Sequence, residues 1–231
     1  LSLAKPLIMG VVNVTPDSFS DGGRFLDPEA AIAHAQQLIA EGADILDLGA
    51  ESSRPGAAAV IGAEEELRRL LPVLRALSDA PVPLSIDTIK PEVMRVVLAE
   101  GAAMINDINA LRAPGALAAV AASDAAVCLM HMQGTPGTMQ RQPSYGDVVA
   151  EVKAFLFERV EAVRAAGIPL QRVSIDPGFG FGKMLEHNLE LLRQLRQFES
   201  LGVPLLAGWS RKSSLGQITG RPAGERLAAS V

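Results

Sequence analysis

Short apolar runs recur along the chain, each closing on a polar residue or a glycine and each followed by a longer segment with helical spacing. Leu7–Val14 is the first, ending at Asn13 and passing into the polar, turn-rich loop Thr15–Gly23. Asp27-Pro28-Glu29 then opens a helix with a capping residue, a proline at the first helical position and an early acid, and Gly42 closes it. Asp44–Gly49 is the second strand, Ala50–Gly62 a second long loop, and 63–78 a helix. The rhythm continues through strand Pro83–Asp87, helix Pro91–Glu100, strand Ala103–Asn106, helix Pro114–Ala122, strand Ala126–His131 and, beyond a loop through Tyr145, helix Asp147–Ala166. Strand Val173–Asp176, helix His187–Glu199 and strand Pro204–Gly208 follow, and Ser210-Arg211-Lys212-Ser213 opens a short helix. Gly42, Gly101, Gly167 and Gly202 each sit where a helix must turn left-handed before the next strand.

Strand–helix alternation over the whole length predicts a parallel sheet, and strands that are apolar throughout fit a sheet buried on both faces. A doubly wound sheet would show a glycine-rich first turn for a dinucleotide, which Asn13–Gly23 does not resemble. The reading is therefore a TIM (β/α)8-type barrel, one domain over 1–231 with no linker, of which seven strands are present and the last strand and helix are not.

Composition narrows the function. The 231 residues are 48% hydrophobic and only 4% aromatic, with a net charge of −5, which argues against general affinity for nucleic acid or an anionic membrane. The single cysteine, Cys128, lies in an apolar run and reads as a buried thiol. No signal-peptide pattern is evident and no apolar run is long enough to cross a bilayer, so the expected location is cytoplasmic.

The chemistry gathers at strand ends. Ser174-Ile-Asp-Pro-Gly-Phe-Gly-Phe-Gly-Lys183 hands Asp176 into a loop whose glycines permit positive φ and close backbone approach. It is not a phosphate-binding P-loop, because Pro177 stands where that motif has its first glycine and Met184 follows Lys183. In a barrel Asn13, Asp87, Asn106, His131, Asp176 and Lys212 are expected to converge on the active face. The plainer readings are helix caps or loop hydrogen-bond partners for the acids and Asn106, and a satisfied core histidine for His131. Glu64-Glu65-Glu66 reads as charge favoured by a helix start. Carboxylates with an amide suit a flat, donor-rich heterocycle, while Lys212 at a helix start suits an anion.

These motifs resemble the dihydropteroate synthases of folate biosynthesis. The matching segments are Met9–Gly23, Glu51-Ser52-Ser53-Arg54-Pro55-Gly56, Ser85-Ile86-Asp87-Thr88, Ile105-Asn106-Asp107, Met130–Gly134, Asp176–Lys183 and Ser210-Arg211-Lys212-Ser213, in the family's order. The resemblance implies condensation of a dihydropterin-methyl diphosphate with 4-aminobenzoate, Mg²⁺ as cofactor, a cytoplasmic homodimer and a sulfonamide target. By position it implies pterin contacts from Asp87, Asn106, Asp176 and Lys212, with Asp87 and Lys212 catalytic, and a metal ligand in Asn13. Ser53, Arg54 and Pro55 would belong to the loop over diphosphate and 4-aminobenzoate, and Phe181 and Ser213 to the 4-aminobenzoate wall.

Three departures stand out. Ser53 occupies a position where many members have threonine, Ala50 one where glycine is common, and the family's eighth-strand Arg-x-His has no counterpart before Val231. Two rivals remain open on sequence: a pterin-binding protein without catalysis, and a methyltetrahydrofolate-dependent methyltransferase module. The loops Thr15–Gly23 and Ser52–Gly56 argue against the second.

Overall fold

The computed structural model describes residues 3–15, 28–51 and 61–231. Two compact units divide the chain, and each is described in turn. In the first, β1 (Met9–Asn13), β2 (Ile45–Gly49), β3 (Leu84–Asp87) and β4 (Met104–Asp107) pair in parallel in chain order. Helices α1 (Pro28–Ala40), α2 (Ala63–Ala76), α3 (Pro91–Ala99) and α4 (Ala116–Ala121) alternate with them. Val12, Leu46, Leu48, Ile86 and Ile105 are fully buried, each contributing about 2 kcal/mol of apolar transfer. Leu70, Val73 and Leu74 on α2 are also buried, the i, i+3, i+4 stripe expected of a helix facing a sheet. Pro91 starts α3, where its missing N–H costs no bond.

The chain leaves the first unit along β5 (Ala126–Met130) and enters the second. There β5 neighbours β6 (Val173–Asp176) with α5 (Val148–Ala165) between them in the chain, and α6 (Leu185–Arg193), α7 (Ser213–Thr219) and α8 (Leu227–Ser230) come after β6. Asp147 caps α5 by accepting from the N–H groups of Val149 and Ala150, both at 3.0 Å. Gly42, Gly101, Gly167 and Gly202 all have positive φ, as the helix-to-strand turns require. Parallel strands alternating with helices bear out the α/β barrel class.

The structure departs from the expected elements in two places. Pro204–Gly208 is not a strand: it holds one parallel bridge, between Ile175 and Leu205. Ile175 donates to Pro204 and receives from Leu206, but Pro204 has no N–H with which to extend a ladder. The helix expected over His187–Glu199 divides into α6 and a 3₁₀ segment, Leu195–Leu201, ended by left-handed Gly202. Asp27, expected to cap α1, lies outside the described residues.

Candidate active site

The strand register of the first unit sets four residues side by side at the C-terminal end of the sheet. Asn13 pairs with Gly49, Gly49 with Asp87, and Asp87 with Asn106. Asn13, Asp87 and Asn106 are half-buried and held by backbone pairing. Asp47, one turn of pleat below, is buried inside β2 and accepts a hydrogen bond from Asn106 Nδ2 at 2.9 Å. Its other oxygen, Oδ1, and the Oγ of Ser85 opposite it in register make no hydrogen bond of ordinary geometry.

This patch is crowded with acids. Burial pushes Asp87 well above the usual carboxylate range, and the neighbouring charges of Asp47, Asp107, Glu66 and Glu51 push the same way. Burial also raises Asp47, against the pull of Ser85 and Asn106. Nearby, Lys90 bridges Glu51 and the buried Glu66. The Glu64–Glu66 run lies in the first turn of α2, as expected of helix-start charge; Glu65 clasps Arg68 and Arg69, while Glu66 is in addition buried and paired with Lys90. A patch that strains to stay ionised is stabilised by a ligand that brings several N–H donors.

Capping, one plainer reading of Asp87 and Asn106, does not apply, since neither α3 nor α4 has a side-chain cap, and the loop bonds at these strand ends are made by their neighbours. Thr88 Oγ1 receives the N–H of Lys90 ahead of α3, and Asp107 Oδ2 receives that of Leu111.

In the second unit the C-terminal ends of β5 and β6 are tied by His131 N–H donating to Asp176 O at 3.0 Å. Asp176 is buried, and its Oδ1 takes the N–H of Gly178 at 2.7 Å, the loop-turning role of the plainer reading. Its Oδ2 and the Nζ of Lys212 face the same place: a side chain added at Gly208 would meet them at 3.8 and 3.5 Å. Burial raises Asp176 and lowers Lys212, and each opposes that shift in the other. Lys212 Nζ also donates to Phe179 O and lies 4.6 Å from the centre of the Phe181 ring. Ser213, next to it, is exposed at the start of α7.

The loop between them is bound at nearly every peptide. Gly180 N–H reaches Asn188 Oδ1 at 2.8 Å, Gly180 O receives Gln140, and Gly182 O receives the Tyr145 hydroxyl at 2.8 Å. Gly178, Gly180 and Gly182 all have positive φ, and a Cβ at Gly178 would overlap His131 O. Lys183 is buried with its Nζ 2.9 Å from His131 Nδ1 and within hydrogen-bond distance of three carbonyls. Burial pulls Lys183 down to about 7, with Lys212 adding to the shift and Asp176 resisting it. His131 is thus the satisfied core histidine of the plainer reading, its ring edge-on to Phe155 at 4.9 Å.

Of the residues singled out in the sequence, Asn13, Asp87 and Asn106 come together on one rung, and Asp176, Lys212 and Phe181 around one loop. Ser53, Arg54 and Pro55 lie outside the described residues. Sequence reasoning missed Asp47, whose signal was a carboxylate inside the apolar run Ile45–Gly49, and the inward role of Lys183. Among the described residues, no group of three or more His, Cys, Asp or Glu is placed to hold a metal ion. Asn13 offers a hard amide oxygen, which suits a magnesium ion that takes its remaining ligands from phosphate and water.

Known proteins match this chain along its whole length. A family model described as pterin binding enzyme matches residues 9–231. The dihydropteroate synthase of Escherichia coli K12 is 50% identical over 232 residues, covering 100% of this chain and 82% of the relative. A solved Xanthomonas albilineans dihydropteroate synthase with 4-aminobenzoic acid is 56% identical with a TM-score of 0.92, covering 100% of this chain and 82% of that one. A second structure from that organism, in complex with 7,8-dihydropteroate, is 52% identical with a TM-score of 0.89 over the same shares.

Proposed function

The chain belongs to the pterin-binding enzyme family and acts as a dihydropteroate synthase, and we propose that the acid–amide rung and the Asp176–Lys212 pair are its substrate contacts. It joins (7,8-dihydropterin-6-yl)methyl diphosphate to 4-aminobenzoate, giving 7,8-dihydropteroate and pyrophosphate. The observation that carries the site assignment is the pair of strand-end carboxyls Asp87 and Asp176, both raised by burial, with repulsion from neighbouring acids added at Asp87. A pterin edge supplies the N–H donors that such carboxyls lack.

In this reading Asp87, Asn106 and Asp176 accept from the pterin ring, and Lys212 donates to its acceptor side. The bond from the pterin methylene carbon to diphosphate oxygen breaks, and its electron pair leaves with pyrophosphate. Positive charge then spreads from the methylene into the ring, where Asp87 stabilises it. The lone pair of the 4-aminobenzoate amine forms the new carbon–nitrogen bond and the amine releases a proton, so no protein nucleophile is needed. Phe181 and Ser213 are assigned to the 4-aminobenzoate side, and Ser53, Arg54 and Pro55 to the loop over diphosphate. Asn13 would hold Mg²⁺, which when bound neutralises charge on the departing pyrophosphate.

The further parts of the proposal are a single domain, a homodimer and a cytoplasmic location. A lone buried cysteine, unable to bridge within the chain, suits a reducing compartment. Among the described residues no helix is long and apolar enough to cross a membrane. Pyrophosphate release on mixing both substrates with Mg²⁺ and the protein tests the activity. Tight pterin binding without release would instead make it a binding protein.

A further inference from the structure

Lys183 closes the glycine-rich run that follows β6, and a lysine in that position invites the reading of an anion ligand. Its surroundings exclude this. The side chain is 3% exposed, and Nζ faces Gly178 O and Phe181 O, each at 3.0 Å, His131 O at 3.3 Å and His131 Nδ1 at 2.9 Å. Three carbonyl acceptors and a ring nitrogen surround a buried Nζ, so nothing remains for a ligand.

Those acceptors divide between two segments. Gly178 and Phe181 belong to the loop, and His131 to the end of β5. Between the two loop carbonyls lie the groups that touch Lys212: the Phe179 carbonyl, which accepts from its Nζ, and the Phe181 ring beneath it. With left-handed glycines at 178, 180 and 182 the loop has little conformational preference of its own. We propose that Lys183 is a positioning residue for the synthase reaction: its amino group stitches the 178–183 loop to His131 and so sets where Phe179 O and Phe181 hold the Lys212 ammonium, facing the place beside Gly208 that Asp176 Oδ2 also faces. Lys183 acts through Lys212 and never meets substrate.

This inference rests on the dihydropteroate synthase reading, and the experiment separates the two. Wild-type protein that releases no pyrophosphate defeats the activity itself. With active wild type, Lys183→Met is compared for kcat, for both KM values and for pterin dissociation constant per folded molecule. The expected result is a pterin dissociation constant and KM for pterin diphosphate raised by about tenfold or more, the equivalent of one hydrogen bond to a charged group. Lys183→Met with unchanged pterin affinity and KM, whatever its melting temperature, overturns the proposal. Should that variant fail to fold, His131→Asn, which keeps an acceptor facing Nζ, is set against His131→Leu, which removes it. Near wild-type KM in the first and a raised KM in the second support the stitch; equal KM values in both overturn it.

Discussion

Asn106 points its Nδ2 at Asp47 Oδ2, 2.9 Å away, and that bond decides which way round the amide faces. With the donor end committed to a buried acid, the acceptor end is the one left for a ligand. Asp47→Asn removes that bias by offering Asn106 a donor. The expected outcome is pterin binding weakened by about 1–3 kcal/mol, the scale of a mispaired buried polar group. Titration calorimetry with a pterin checks it, and unchanged affinity separates Asp47 from the site.

Asp87→Asn should part stability from activity. Its folded-state pKa is raised, so between the unfolded value near 3.8 and the folded value the native state binds more protons than the unfolded one. Stability from this group is therefore greatest at low pH and falls as pH rises through that window. The amide escapes this cost: the ligand-free variant should melt above wild type at pH 7, with the difference shrinking toward pH 4, while pyrophosphate release collapses. Thermal melts across pH give the test, and a variant less stable at pH 7 contradicts it.

Asp176 and Lys212 are expected to report on one ligand. Asp176→Asn should weaken pterin binding by about 1–3 kcal/mol, and Lys212→Ala should weaken it too. Because each side chain shifts the other's ionisation, the double variant should lose less than the sum of the single losses. A double-mutant cycle on pterin dissociation constants measures the coupling, and strict additivity would contradict it.

Gly178 and Gly202 share a left-handed backbone but not its surroundings. A Cβ at Gly202 meets nothing within 4 Å, whereas one at Gly178 runs into the backbone of His131. Gly202→Ala should cost about 1 kcal/mol, the strain of φ alone. Gly178→Ala should cost more, since strand ends would have to part. Urea midpoints at matched m-value compare the two.

How much of this was legible in the sequence follows from how local each signal is. The helix start at Asp147, the left-handed glycines and six of the seven expected strands are written within a few residues of themselves, and these were read correctly. The strand-end residues were legible for the same reason, since a strand's last residue marks its position in the fold. The burial and pairing of Glu66 were missed because its partner Lys90 is 24 residues away. The inward role of Lys183 was missed for the same reason, since its partner His131 lies 52 residues earlier. Pro204–Gly208 had the composition of a strand, but a strand needs a neighbour's donors as well as its own.

The loop from Asp176 to Lys183 has no slack. Its carbonyls and amides are held partly by side chains from other segments, Gln140, Tyr145, Asn188 and Lys212, and partly by its own Asp176 and Lys183, so adding or deleting a single residue would put the later partners out of step. Chain length here is constrained as tightly as residue type, and natural or engineered variation in this enzyme should accumulate by substitution around the loop while its residue count stays fixed.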